Sequence, residues 1–331
     1  MPNIMTHALC AHDILQEFED NDVYQSIQKN PSVYSTASSG PDFLFYYKAY
    51  PFQDADAAKQ IHQIGEDVHK QNINDFYTKA VDLIKHEKNE SKKCVLTSFI
   101  AGHLTHWALD SIAHPFVFHR SGEMKGKTQY WHYRFESMLD TIMVKQIKQL
   151  SLEKNPSNLM VTLKRLDIDV CAQLYCDIVN HVFKTHHSVD VFKQSFKDMA
   201  LISKWLFDPH TRLFPWVQAI EKRLGVDWKY SSHMIIGDLD QKHDVLNLNH
   251  STWSHPSDPL SLSNESFLDL YDRAILRGRT VLNAFNDVLF NDKPIDLMLE
   301  VLNNQSYDTG YSSAKPMHNY QSIYETTQES N

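Results

Sequence analysis

Between residues 103 and 136 the chain sets histidines and carboxylates at spacings that suit metal ligation. His106, Asp110 and His114 recur every four residues. Residues four apart on an α-helix lie about 40° apart around its axis, so the three form one stripe. His132 and Glu136 repeat the spacing. Neutral imidazoles and carboxylates presented this way are the ligands zinc takes in catalytic sites, which keep a position open for water. A lone HxxxD or HxxxE on a helix is more often a surface ion pair. Here the first set lies in CVLTSFIAGHLTHWALDSIAHPF, an otherwise apolar segment. Polar groups on a face destined for burial are costly unless something pairs them, and a metal cluster would pair them all.

The elements that must carry these residues read as helices. Residues 5–18 place Leu9, Ile14, Leu15 and Phe18 on one face, and a Ser-, Pro- and Gly-containing loop is expected at 30–41. Residues 56–86 read as one or two helices and 93–113 as a strongly apolar one. The residue before a proline is pushed out of the α region, so that helix is expected to end near His114-Pro115. A loop at 121–128 precedes a helix from Trp131 to Leu150, and helical patterns resume at 158–184 and 188–223. The polar segment 225–260 reads as a long ordered loop, followed by helices at 264–289 and 294–303. The expected fold is all-α: residues 1–150 form a zinc-binding helical core, and 151–303 supply helices that complete the same domain or form a lobe. Residues 304–331 read as a polar, flexible tail.

Composition agrees with a helical, globular chain. Only 9 of 331 residues are glycine, 42% are hydrophobic and 22% charged, which allows a sizeable core. A net charge of −9 argues against binding nucleic-acid duplexes, which takes clustered Lys and Arg. It leaves phosphate-ester substrates open, because bound zinc reverses the local sign. The four cysteines form no CxxC pair and read as buried thiols in a reducing compartment. No basic stretch followed by an apolar one opens the chain, and no apolar run approaches the length of a membrane span. A cytoplasmic location without a transmembrane segment or amphipathic anchor is therefore expected.

Beyond the stripe, the chain opens with Met-Pro-Asn-x-x-Thr-His, continues with Gly40-Pro41-Asp42 before Phe43 to Tyr47, and carries Trp131-His132 through Glu136 to Asp140. Together with HxxxD, a further His and HxxxE, these motifs resemble the zinc-dependent phospholipase C superfamily. That superfamily includes small secreted phosphatidylcholine-cleaving phospholipases, an intracellular branch in Gram-positive bacteria and, more distantly, trinuclear-zinc nucleases specific for single strands. The likeness is specific over residues 1–140 and looser at Leu246 to Pro256. It implies a compact multi-helix domain of phospholipase C and nuclease type with additional C-terminal helices, binding two to three zinc ions. It implies that Asp42, His69, His106 and Asp110 hold one zinc, and that His114, His132 and Glu136 hold a second with an open position. His7 would hold a third, bridged by Asp110. His62 is the alternative to His69. The secreted relatives use a processed N-terminal amine as a ligand, and here removal of Met1 would offer the amine of Pro2 instead.

The implied chemistry is hydrolysis of a phosphate ester, most simply a phospholipase C-like phosphodiesterase in which a hydroxide shared between metals attacks phosphorus and Asp42 orients or deprotonates the water. The alternatives are a cytoplasmic phosphodiesterase or nucleotidase acting on a small soluble ester, and a zinc-binding protein without turnover. The remaining histidines read otherwise. His103 lies off the stripe and suits the core, and His12 and His119 suit the surface. His186, His187, His233, His243, His250 and His255 share no ligand spacing, so a loop lining the site is the most that 233–255 suggests. Phe43, Phe45, Tyr46 and Tyr47 read by default as packing against neighbouring helices, the alternative being that they wall a substrate pocket.

Overall fold

The computed structural model describes residues 3–50, 55–126, 128–313 and 315–324. It is 63% helical and 4% strand, an all-α protein. In chain order the α-helices are α1 (Ile4–Leu15), α2 (Asp22–Lys29), α3 (Pro31–Ala37), α4 (Ala55–Lys70), α5 (Ile73–His86), α6 (Glu90–Ser121) and α7 (Gln129–Ile142). They continue with α8 (Ser157–Met160), α9 (Arg165–Val182), α10 (Val189–Trp205), α11 (Phe214–Leu224), α12 (Phe267–Phe290) and α13 (Asp296–Leu302). A short parallel pair joins β1 (Phe207–Asp208) to β2 (Ile235–Ile236), and β3 (Trp253–His255) pairs antiparallel with β4 (Asp258–Ser263).

Helix α6 is the axis of the molecule. Every residue from Val95 to Ser121 except Ile112 is buried, as a helix apolar on all sides must be. Helices α1, α2, α3, α5, α7, α9 and α12 pack around it. The expected stop at His114-Pro115 does not occur: α6 runs through Pro115 to a cap at Gly122, where φ is +102°. Packing on every side of residues 113–121 outweighs the local preference. Proline leaves the carbonyl of Ser111 without its helical donor, and the backbone of Gly310 closes on that oxygen so tightly that a Cβ there would collide with it.

Other elements also differ from expectation. The anticipated loop at 30–41 is largely helix: Pro31 starts α3 at its first position, where a missing N–H costs nothing, and a 3-10 turn covers Gly40–Tyr46. The helix from 131 stops at Ile142 and passes into a π-helical turn at Met143–Ile147. The pattern at 188–223 is two helices separated by β1. The described part of the supposed tail is built into the molecule: Tyr307 is 1% exposed, its N–H donates to the carbonyl of His69, and Gln321 and Ile323 donate to the carbonyls of His119 and Arg120.

Candidate metal centre

Five elements converge on one buried point. Helix α1 brings His7, the 3-10 turn Asp42, α4 His69, α6 His106, Asp110 and His114, and α7 His132 and Glu136. All eight are at most 8% exposed. Their ligand atoms form three groups suited to a metal ion: His7 with His106 and Asp110, Asp42 with His69 and His106, and His114 with His132 and Glu136.

Local structure explains how each side chain reaches this point. The first turn of α1 is capped twice. Asn3 accepts from the amide of Ile4, and the Asp140 carboxylate from α7 accepts from the amides of Met5 (3.0 Å) and Thr6 (2.8 Å) and from the Thr6 hydroxyl. Those bonds set the height of His7 over α6, where its ring stacks on His106 at 4.0 Å. Asp42 follows Gly40, whose φ is +51° and whose missing Cβ leaves room for the His106 ring. Phe43 and Leu44 lock the turn into the core, Phe43 stacking on Phe196 at 4.1 Å.

The outer nitrogens of three histidines are held. His69 Nδ1 donates to the Gly65 carbonyl at 2.6 Å and His106 Nδ1 to the Ser38 carbonyl at 3.0 Å. A carbonyl can only accept, so in both rings Nδ1 carries the hydrogen and Nε2 presents a lone pair inward. His132 Nδ1 meets the Ser121 hydroxyl at 2.9 Å. Across the centre, His69 Nε2 lies 3.1 Å and His106 Nε2 3.8 Å from Asp42 Oδ1. His106 Nε2 is 2.9 Å from Asp110 Oδ2, His7 Nε2 is 3.3 Å from Asp110 Oδ1, and His132 Nε2 is 2.8 Å from Glu136 Oε1. Zinc–ligand bonds of about 2.0–2.2 Å in a tetrahedron separate ligand atoms by about 3.3–3.6 Å, and the observed spacings lie within about 0.5 Å of that window on either side.

The electrostatics favour ligand-competent forms at His7, His114, His132 and Asp110. Burial lowers His7 to about 4, and burial also carries His114 and His132 well below their usual value, so all three are neutral at pH 7. Burial alone would raise Asp110, but His106, His114 and His7 around it hold it well below the usual carboxylate range. Burial lowers His69 too, and Asp42 with Asp308 and Asp110 more than reverses that.

Asp308 is the residue that sequence reasoning missed. It lies on the segment after α13, with Oδ1 3.7 Å from His114 Nδ1, which is itself 3.8 Å from Asp110 Oδ2. Tyr307 beside it packs its ring against His69 and His106 and bonds through its hydroxyl to Tyr77 at 2.9 Å. One carboxylate in a polar stretch carries no spacing signal, and the docking of Tyr307 on His69 and of Gly310 on the α6 proline step brings it here.

The other candidates separate clearly. His69 is in the cluster, whereas His62 points its Nε2 at the Tyr47 carbonyl, 3.3 Å away. His103 is a core residue stacked on Phe76 and bonded to the Tyr77 hydroxyl. His12 is exposed. His119 is buried rather than at the surface, with Nδ1 donating to the Asn319 carbonyl. His233 stacks on Tyr133 at 4.1 Å, next to His132. Pro2 lies outside the described residues.

A family model for zinc-dependent phospholipase C matches residues 6–189, more than half of the chain. The chain belongs to the zinc-dependent phospholipase C family. Among curated proteins none matches, and no solved structure does. The family match contains all eight residues of the centre and stops well before Asp308 and α11. Family membership together with the three groups makes this a zinc phospholipase-like hydrolase. Among the described residues no helix is long and apolar enough to cross a membrane.

Proposed function

We propose that this protein is a phosphodiesterase of phospholipase C type that acts in the cytoplasm on a phospholipid headgroup ester, with about two to three zinc ions held by His7, Asp42, His69, His106, Asp110, His114, His132 and Glu136. One observation carries the proposal. His7 Nε2, Asp42 Oδ1, His69 Nε2, His106 Nε2, both Asp110 oxygens and both His114 nitrogens are buried, face one another and make no hydrogen bond. Leaving one buried polar atom unsatisfied costs about 1–3 kcal/mol, and gathering so many at one place supports a bound cation as their partner. The four free thiols Cys10, Cys94, Cys171 and Cys176 support a reducing compartment.

Bound zinc supplies a Lewis acid for phosphoryl oxygens and acidifies water towards neutral pH. The chain's own residues do the rest. Asp42 turns Oδ1 to His69 and His106, which leaves its second oxygen to orient an attacking water and take its proton. Gly65 and Ser38 fix the His69 and His106 rings so that no reorganisation is needed during reaction. Asp308, at the rim of the centre, sets a further carboxyl group 3.7 Å from His114 Nδ1.

The test is zinc analysis of purified protein beside His132→Ala, with release of diacylglycerol from phosphatidylcholine measured against a panel of soluble phosphodiesters. About two to three zincs per chain, falling by about one in the variant, and diacylglycerol release are expected. Less than one zinc in the wild type, or no hydrolysis of any phosphate ester by the zinc-loaded protein, would overturn the proposal. Hydrolysis of soluble esters alone would remove the phospholipid from it.

A further inference from the structure

Helix α11 is built with its apolar side outward. Its one fully buried side chain is a carboxylate: Glu221 is 2% exposed and accepts from the amides of Tyr230 and Ser231 and from the Ser231 hydroxyl. Four large apolar side chains of the helix and its N-cap face solvent, with Leu213 56%, Trp216 73%, Ile220 58% and Leu224 68% exposed. At 100° per residue these four fall within an arc of about 80°. Ordinary surface helices turn such a stripe to the core.

The orientation is fixed by the surrounding structure. At the N-terminal end the buried Asp208 carboxylate accepts from the amides of Arg212 (3.0 Å), Leu213 (2.7 Å) and Phe214 (2.9 Å). At the C-terminal end Glu221 holds the segment that follows. Phe214 is pinned between them, its ring 6.2 Å from that of Trp228 and under the guanidinium of Arg134 at 5.1 Å. Two buried carboxylates and one aromatic anchor therefore point the apolar stripe away from the protein.

Charge identifies the occupant. Lys204, Arg212, Lys222, Arg223 and Lys229 are exposed along this segment, against one exposed acid, Asp227, because Asp208 and Glu221 are buried. With its buried acids counted, residues 204–229 still sum to +2 in a chain that carries −9 overall, so the segment bearing the apolar stripe is locally positive. Trp, Ile and Leu on one face, flanked by Lys and Arg, is the composition of a helix that lies in the interface of a bilayer. With 11 residues the helix is about 16 Å long, enough to lie in the headgroup layer and too short to span it.

We propose that α11 docks the protein on an anionic lipid bilayer, with Leu213, Trp216, Ile220 and Leu224 at the acyl boundary and Arg212, Arg223 and Lys229 against lipid phosphates. Only the use of this docking to reach a phospholipid substrate rests on the activity proposed above. Helix α7 carries both Arg134, which braces Phe214, and His132, so the docking helix is joined to the metal centre through one rigid element.

The test is co-sedimentation of zinc-loaded full-length protein with vesicles of phosphatidylcholine and phosphatidylglycerol at low salt. It compares wild type, the triple variant Trp216→Gln, Ile220→Gln, Leu224→Gln, and His132→Ala. Wild type and His132→Ala are expected to sediment with vesicles, and binding is expected to weaken with salt and with pure phosphatidylcholine. The triple variant should lose about tenfold or more in partitioning while keeping its thermal transition and its rate on a soluble phosphodiester. A wild type that stays in the supernatant, or a triple variant that binds equally, would overturn the docking. So would a dimer that the triple variant abolishes without any vesicle binding, because the stripe would then be a self-association face. Vesicle binding without ester hydrolysis would leave the docking standing and sink only the proposed activity.

Discussion

In α6 the polar residues His106, Asp110 and His114 face the interior, whereas in α11 the apolar residues Leu213, Trp216, Ile220 and Leu224 face solvent. Each arrangement costs stability in an isolated chain. Buried polar atoms without partners cost about 1–3 kcal/mol apiece, and each Å² of apolar surface left in water forgoes about 25 cal/mol. Both are nevertheless held firmly, α6 by helices on all sides and α11 by Asp208, Glu221 and Phe214. An inversion that the rest of the structure supports points to something outside the chain that completes it. For α6 the chemistry of the atoms selects a cation, and for α11 the surrounding charge selects an anionic lipid surface.

The largest expected effect breaks the α6 side. His106 belongs to two of the three ligand groups, so His106→Ala should remove more zinc than His132→Ala and lower hydrolysis by about 10³-fold or more. In the wild type, chelation should lower the thermal transition, since a ligand at 1,000 times its Kd stabilises by about 4 kcal/mol. In His106→Ala the chelator should have much less to remove. Identical melting of wild type with and without chelator would mean that the buried atoms are satisfied without metal.

The strap over α6 comes next. Gly310 has φ +65° and presses on the Ser111 carbonyl, so Gly310→Ala should destabilise by about 1–3 kcal/mol and shift Asp308 away from His114. Asp308→Asn keeps the shape and removes the charge. It should weaken zinc at the His114 position by about 10- to 100-fold with little change in melting of the metal-free protein. Competition with a zinc indicator reads that affinity directly. Equal affinity would make Asp308 a rim residue only.

A pH effect follows from Asp140, which burial pushes up to about 7 despite the amides of Met5 and Thr6. A carboxyl whose folded pKa lies above its unfolded value stabilises the fold at low pH. That contribution is complete below the unfolded value near 3.8 and is lost as pH rises through about 7. Metal-free Asp140→Asn should therefore lack this part of the decline in stability across that window. Parallel pH profiles for the two proteins would show that Asp140 stays ionised throughout.

How far the sequence carried these conclusions depended on range. The α6 and α7 ligands were legible because spacings of four lie within one helix, and the all-α class was legible because apolar periodicity is local. His7, Asp42 and His69 came through the family resemblance, and the structure brings them to the same point. Asp308 was not legible, because a single Asp between Tyr307 and Thr309 acquires meaning only through the long-range docking of Tyr307 on His69 and of Gly310 on Ser111. Pro115 misled because its local preference is overridden by burial on every side of α6. The outward turn of α11 was not legible for another reason. Periodicity shows that a helix has an apolar face but not which way that face turns, and Glu221, the residue that turns it, looks in the sequence like any surface acid.

The smallest expected effect is the most discriminating for the comparison. If the α11 stripe is a surface completed by a partner, replacing Trp216, Ile220 and Leu224 by Gln removes nothing that the free protein uses, and stability should change by no more than about 0.5 kcal/mol per site. If the stripe instead packs on the molecule in solution, each replacement should cost as much as core truncation, about 2–5 kcal/mol. Glu221→Ala reverses the logic on the same helix. It leaves the buried amide and hydroxyl of Ser231 without their acceptor, at about 1–3 kcal/mol apiece, so its cost should exceed that of all three apolar replacements together. Denaturant titration of the two variants measures that ordering. A polar residue that stabilises and apolar residues that do not is the order an outward-facing docking helix requires.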